Sequence, residues 1–248
     1  MHRKIPFLFV LIALFLASCA KPNFMLRLDP PMKSFVKIHN TMEIKSCKGK
    51  LPEELTECPV GFFNSTGSGM AVSVIRSETI IITAGHVCSP KVANFIDEHR
   101  NLIKVQDHKG IMHQAHLIKS SLDNNMGSPD MCALWVPSLN IKPVLISRMG
   151  LEVGEFIYYV GAPAGVYHPP TAPVLTGIYS GPIDASSSMV SAPAIGGSSG
   201  SVVLNSNNKM VGVLFATHPR FHHVTIITSF RSTMTFLDSV RRSFKKKI

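Results

Sequence analysis

The sequence predicts an all-β chain, a barrel or sandwich of short strands finished by one C-terminal helix. Three observations lead there. From about residue 60 onward, apolar runs mostly four to six residues long follow one another, rich in β-branched and aromatic residues. Gly and Pro stand at 17 each in 248 residues, which suits frequent turns between strands. A single segment, 229–244, carries helical spacing instead. The 45% of hydrophobic and 16% of charged residues exclude a mostly disordered chain, a coiled coil and a collagen-like fibre. No repeat is visible, which excludes a solenoid or propeller. The length fits one large domain or two small ones, enough to bury a core without help from a metal.

The elements follow in order. His2, Arg3 and Lys4 precede the apolar run Ile5 to Leu16, closed by Ala17-Ser18-Cys19. That run is too short to span a bilayer, which takes roughly 20 residues, and it reads as an export signal over 1–18. Leu16-Ala17-Ser18-Cys19 resembles a bacterial lipobox, which implies a lipid on Cys19, and Ala20 behind it implies sorting to the outer membrane. Residues 19–55, with Pro22, Pro30, Pro31 and Pro52, read as an irregular tether and lead-in. The strand signals are Met70–Ile75, Thr79–Thr83, Leu102–Val105, Cys132–Val136, Phe156–Val160, Val202–Leu204, Met210–Phe215 and Val224–Ile227. In the last segment, 229–248, Phe230, Met234, Leu237, Val240 and Phe244 share one helical face, with Ser229 or Ser232 as cap. Its basic end, Arg241, Arg242 and Lys245 to Lys247, suits a helix C-terminus.

Three segments carry chemistry. In Thr83-Ala84-Gly85-His86-Val87-Cys88 a histidine follows a strand in a corner of small residues, which leaves its imidazole room to face a cleft. In Asp130-Met131-Cys132-Ala133-Leu134 a carboxylate opens an apolar strand; partly buried there, it needs a partner, and an imidazole N–H is a natural one. In Ile195-Gly196-Gly197-Ser198-Ser199-Gly200-Ser201 glycines flank a serine pair. Glycine permits a loop that exposes a hydroxyl and turns backbone N–H groups toward one point. Gly67-Ser68-Gly69-Met70 opens the strand before the histidine corner.

Taken together, and in the order His, Asp, Ser, these segments resemble the trypsin-like serine peptidases, most closely the glutamyl-endopeptidase-like bacterial branch. Val160-Gly161-Ala162-Pro163 and Thr176-Gly177-Ile178-Tyr179-Ser180-Gly181 add to the likeness, which covers about 60–240. The resemblance implies two six-stranded antiparallel β-barrels, 56–140 and 141–228, with a C-terminal helix. It implies a serine endopeptidase in which Ser199 is the nucleophile, His86 the general base and acid, and Asp130 the residue that orients the imidazole. Gly197 and Ser199 would supply the oxyanion-hole N–H groups. Ser198 is the rival nucleophile and Asp123 the rival acid. The resemblance also implies a pocket built from Pro193, Ala194, Leu214, Phe215, Ala216 and Thr217. Pro193 stands where cleavers after Arg or Lys carry Asp, and Leu214 where glutamate-specific relatives carry His, so a small or aliphatic pocket is expected. Ser198, in place of an Asp before the nucleophile, implies no zymogen-type switch.

Four cysteines remain in an exported chain, and with His86 against Asp130 the expected pairings are Cys88–Cys132 and Cys47–Cys58. No cofactor or metal is expected: His113, His116, His222 and His223 read as exposed loop histidines, and the cysteines lack the close spacing of structural zinc. The formal charge of +10 favours anionic surfaces, and anionic envelope polymers are the partner class that fits, beside a protein or peptide substrate. No motif indicates a specific nucleic-acid partner, and a monomer is expected. The competing class is a catalytically silent peptidase homologue that binds rather than cleaves.

Overall fold

The computed structural model describes residues 28–75, 78–90, 92–122 and 129–245. The expectations for the leader, Cys19, Asp123, Lys246 and Lys247 lie outside the described residues.

Two sheets make the fold. The first holds β1 (Phe35–Cys47), β2 (Gly61–Val72), β3 (Ile80–Thr83), β4 (Ile96–Gln106), β5 (Met112–Gln114), β6 (His116–Ser120) and β7 (Cys132–Trp135). Its order is β5-β4-β1-β2-β3-β7-β6, antiparallel throughout, and it curls as a half-barrel. The second holds β8 (Leu145–Ile146), β9 (Phe156–Val160), β10 (Val174–Pro182), β11 (Ser187–Val190), β12 (Val202–Asn205), β13 (Lys209–His218) and β14 (Phe221–Thr228). Pairing of β12 with β13 closes six of these into a barrel, and β8 adds a parallel strand at its margin. The chain is therefore mostly β with two barrel-like sheets and a C-terminal helix, as in the chymotrypsin fold, although only the second sheet closes.

The continuous apolar runs have a geometric reason. Successive side chains of a strand point to opposite faces. In β3, Ile81 enters the first sheet's interior beside Val36, Ile38, Ala71 and Leu134. Its neighbours Ile80 and Ile82 face the other way, into a core shared by both sheets. In β9, Ile157 and Tyr159 fill the second barrel, while Tyr158 and Val160 face the shared core. Strands buried on both faces lose the polar alternation of half-exposed ones. Each such fully buried aliphatic side chain contributes roughly 1.5–3 kcal/mol.

The helix α2 (Phe230–Lys245) closes the shared core with Phe236, Leu237, Val240 and Phe244. Ser229 caps it by accepting the Ser232 N–H at 3.2 Å. Within the expected irregular lead-in 19–55, the described residues hold a strand instead. β1 is the thirteen-residue strand Phe35–Cys47, central in the first sheet between β2 and β4. Pro30 and Pro31 before it and Pro52 after it mask it in the sequence, and its inward positions include the polar Asn40. That residue is buried because its amide donates to the Val87 and Cys88 carbonyls at 2.9 and 3.3 Å.

Candidate active site

β3 ends at Thr83, and one helical turn, α1 (Gly85–Cys88), carries His86 outward. The β7 strand begins two residues after Asp130. Asp130 grips His86 at two points: Oδ2 lies 2.7 Å from the imidazole Nδ1, and Oδ1 accepts the His86 backbone N–H at 2.9 Å. The carboxylate selects the tautomer with its proton on Nδ1, which leaves Nε2 with a lone pair. Gly85 permits this approach, since a Cβ there would lie 2.8 Å from Asp130 Oδ1. The disulfide Cys88–Cys132 ties α1 to β7 two residues beyond each partner, and Cys47–Cys58 joins the end of β1 to the segment before β2.

The loop Ile195–Ser201 enters between the sheets. Gly197 and Gly200 have φ of +92° and +87°, which only glycine adopts cheaply. Space forbids a side chain as well: a Cβ on Gly197 would stand 2.4 Å from the Ala162 carbonyl oxygen, and one on Gly200 2.0 Å from the Thr83 hydroxyl. Ser198 is fully buried, and its hydroxyl accepts the Ile195 N–H at 3.4 Å. Ser199 is half-buried, so only Ser199 of the pair remains open to an incoming group. Its carbonyl accepts the Ser68 N–H at 2.8 Å.

Two peptide planes in this loop are held by their carbonyls. Gly196 C=O accepts the Ala164 N–H at 2.7 Å, and Ser198 C=O accepts the Ser201 N–H at 3.0 Å. In a trans peptide the N–H points away from the C=O. The Gly197 and Ser199 N–H groups are thus turned from these contacts, and among the described residues neither donates to a protein acceptor. Two such donors are what a developing oxyanion requires.

The structure joins His86 to Asp130 directly, but no hydrogen bond links the Ser199 hydroxyl to His86 among the described residues. The two segments meet at Gly67, where a Cβ would touch the Val87 side chain, next to His86 in the chain, at 2.7 Å and the Ser199 carbonyl at 3.1 Å. Catalytic hydrogen bonds are often long without substrate and tighten on binding.

The expected pocket residues separate. Leu214 and Ala194 belong to the second barrel's core rather than to an open wall. Leu214 serves through its backbone, accepting the Gly200 N–H at 2.7 Å. Phe215 turns to the first sheet's core. Ala216 and Thr217 stay partly open on β13, and Pro193 is half-buried. Tyr159 lies behind Pro193 and donates its hydroxyl to the Pro193 carbonyl. Burial pushes this phenol up to about 12 against the lowering effect of the Ser198 hydroxyl, so it stays a neutral donor.

His113 departs from the loop histidine expected. It lies on β5, little exposed, with Nε2 3.2 Å from Asp107 Oδ2 and Nδ1 3.0 Å from the Ser138 hydroxyl. His116, His222 and His223 are exposed, and among the described residues no three metal-ligating side chains cluster. Sequence reasoning gave no role to Asn40, Tyr159 or Ser68; of these, only Ser68 carried a signal, its place between two glycines.

Solved structures share this architecture. The Rv3671c protease of M. tuberculosis in its active form matches with a TM-score of 0.59 at 17% identity, over 85% of this chain and 82% of that one. A serine endoprotease from Yersinia pestis matches with a TM-score of 0.60 at 16% identity, over 86% of this chain and 64% of that one. No curated protein matches the sequence. The family model described as a trypsin-like peptidase domain matches residues 67–213, a span that begins one residue before Ser68 and takes in His86, Asp130 and Ser199. With that match over more than half its length, the chain belongs to the trypsin-like peptidase domain family.

Proposed function

We propose that the chain is a serine endopeptidase with Ser199, His86 and Asp130 as its triad. The observation that carries this reading is the two-point hold of Asp130 on His86, beside a loop whose Gly197 and Ser199 N–H groups are left for a ligand. The Ser199 hydroxyl attacks the scissile carbonyl while His86 Nε2 takes its proton. Asp130 stabilises the imidazolium. The Gly197 and Ser199 N–H groups receive the oxyanion, each such donor being worth about 3–4 kcal/mol. His86 then protonates the leaving amine, and water resolves the acyl-enzyme by the same steps in reverse.

The substrate class is read from Pro193 and its neighbour Tyr159. Pro193 offers no carboxylate for an Arg or Lys side chain, and Tyr159 fills the space behind it. A small or aliphatic side chain before the scissile bond fits best. In this reading the enzyme is exported, anchored through a lipid on Cys19 to the bacterial envelope, acts there on proteins or peptides as a monomer, and can lie against anionic envelope polymers through its basic surface. The glutamyl-endopeptidase-like branch remains part of the proposal.

The test is labelling of the purified mature protein with a fluorophosphonate probe, wild type against Ser199→Ala. Labelling of the wild type that is lost in the variant supports the triad. A folded wild type that does not label overturns it and leaves the silent binding homologue.

A further inference from the structure

We propose that Ser68, on β2, is the positioning residue that keeps the oxyanion hole formed. The inference rests on the peptidase reading above and deepens it. Ser68 is fully buried and makes four hydrogen bonds, three of which reach the second barrel. Its N–H donates to the Ser199 carbonyl at 2.8 Å. Its hydroxyl donates to the Gly197 carbonyl at 2.8 Å and accepts the Ala162 N–H at 2.9 Å. Its carbonyl accepts the Thr83 hydroxyl at 2.7 Å, on the strand that leads to His86.

The hydroxyl acts on both sides of Gly197. Downstream it holds the Gly197–Ser198 peptide directly. Upstream it holds Ala162, and two residues on, Ala164 donates the N–H that fixes the Gly196 carbonyl and so the direction of the Gly197 N–H. A glycine with φ of +92° has no side chain to lock it, and its orientation depends on these two neighbouring planes. Gly67 and Gly69 flank Ser68 because neither position has room: a Cβ would come within 2.7 Å of Val87 at the first and 2.9 Å of Ile38 and Ile81 at the second. One strand of the half-barrel therefore spans the oxyanion loop, the nucleophile's backbone and the approach to His86.

An oxyanion hole whose Gly197 donor is held by this clamp should need it in the transition state and not for substrate binding. The experiment compares wild type with Ser68→Ala by steady-state kinetics on a peptide substrate and by inhibition with a matched peptide boronate. Expected is a fall in kcat of at least tenfold with KM within about twofold, and a loss of boronate affinity that parallels the fall in kcat/KM. Unchanged kcat with a lowered melting temperature assigns Ser68 to stability alone and overturns the proposal. A rise in KM at constant kcat overturns it too. If Ser68→Ala does not fold, Ser68→Cys, nearly isosteric with a weak donor, carries the same measurements. A wild type that neither labels nor cleaves removes the peptidase reading and this inference with it; an active wild type with an equally active Ser68 variant removes this inference alone.

Discussion

Gly200 packs against Thr83 so closely that a methyl group at its Cβ position would lie 2.0 Å from the Thr83 hydroxyl oxygen and 2.2 Å from the Ser68 carbonyl oxygen. The residue after the proposed nucleophile is thus set against the strand that delivers the proposed base. The two halves of the site are positioned by backbone contact across the junction of the sheets.

That contact makes Gly200→Ala a severe change. The substitution adds a side chain where φ is +87° and where backbone atoms cannot retreat. The strained φ alone costs about 1–3 kcal/mol, and the overlap adds to it. A thermal or urea melt should show a loss of several kcal/mol or no folded protein. A variant as stable as wild type would mean that the loop does not sit against Thr83.

Asp130→Asn should lower kcat about 10⁴-fold, the effect of the corresponding change in the serine-protease template, through loss of the correct imidazole tautomer. The amide keeps the volume of the carboxylate, so the melting temperature should move far less than it would for Gly200→Ala. Steady-state kinetics beside a melt decide this. A loss below tenfold would assign the orienting role elsewhere.

Asp107 gives the fold an acid-sensitive contact away from the site. Burial raises its pKa, but the Ile111 N–H, the His113 imidazole and the Lys109 N–H together hold it below the ordinary carboxylate value. A depressed folded-state pKa means stability that is present above the unfolded value, near 4, and is lost as pH falls through the folded one. The difference in unfolding free energy between wild type and Asp107→Asn should be full at pH 6 and shrink below about pH 4. A difference that is flat with pH would show that the carboxylate's charge contributes nothing.

A library of peptides varied at the residue before the scissile bond should favour Ala, Val or Leu over Arg and Lys by at least a hundredfold in kcat/KM. Burying an unpaired cation costs several kcal/mol after relaxation, and each 1.4 kcal/mol is a factor of ten. Efficient cleavage after Arg or Lys would require a carboxylate that Pro193 does not provide.

The sequence by itself determined the all-β class, the C-terminal helix with a serine cap at Ser229 or Ser232, and the three chemical segments with their order. These are local properties. Strand periodicity, glycine clusters and an N-cap depend on residues a few positions apart, so they are legible without a fold. What the sequence left illegible depends on partners far apart in the chain. β1 was hidden in part because its inward position 40 is a buried Asn whose amide N–H groups find partners only in the distant Val87 and Cys88 carbonyls. Leu214 and Phe215 read as pocket walls, yet a strand between two cores turns one to each. The choice of Ser199 over Ser198 gains its physical reason from burial, which a Ser-Ser pair cannot display. Ser68 is the clearest case: a small polar residue between two glycines, its four partners, Thr83, Ala162, Gly197 and Ser199, are spread along the chain, and only the meeting of the two sheets brings them within hydrogen-bond reach.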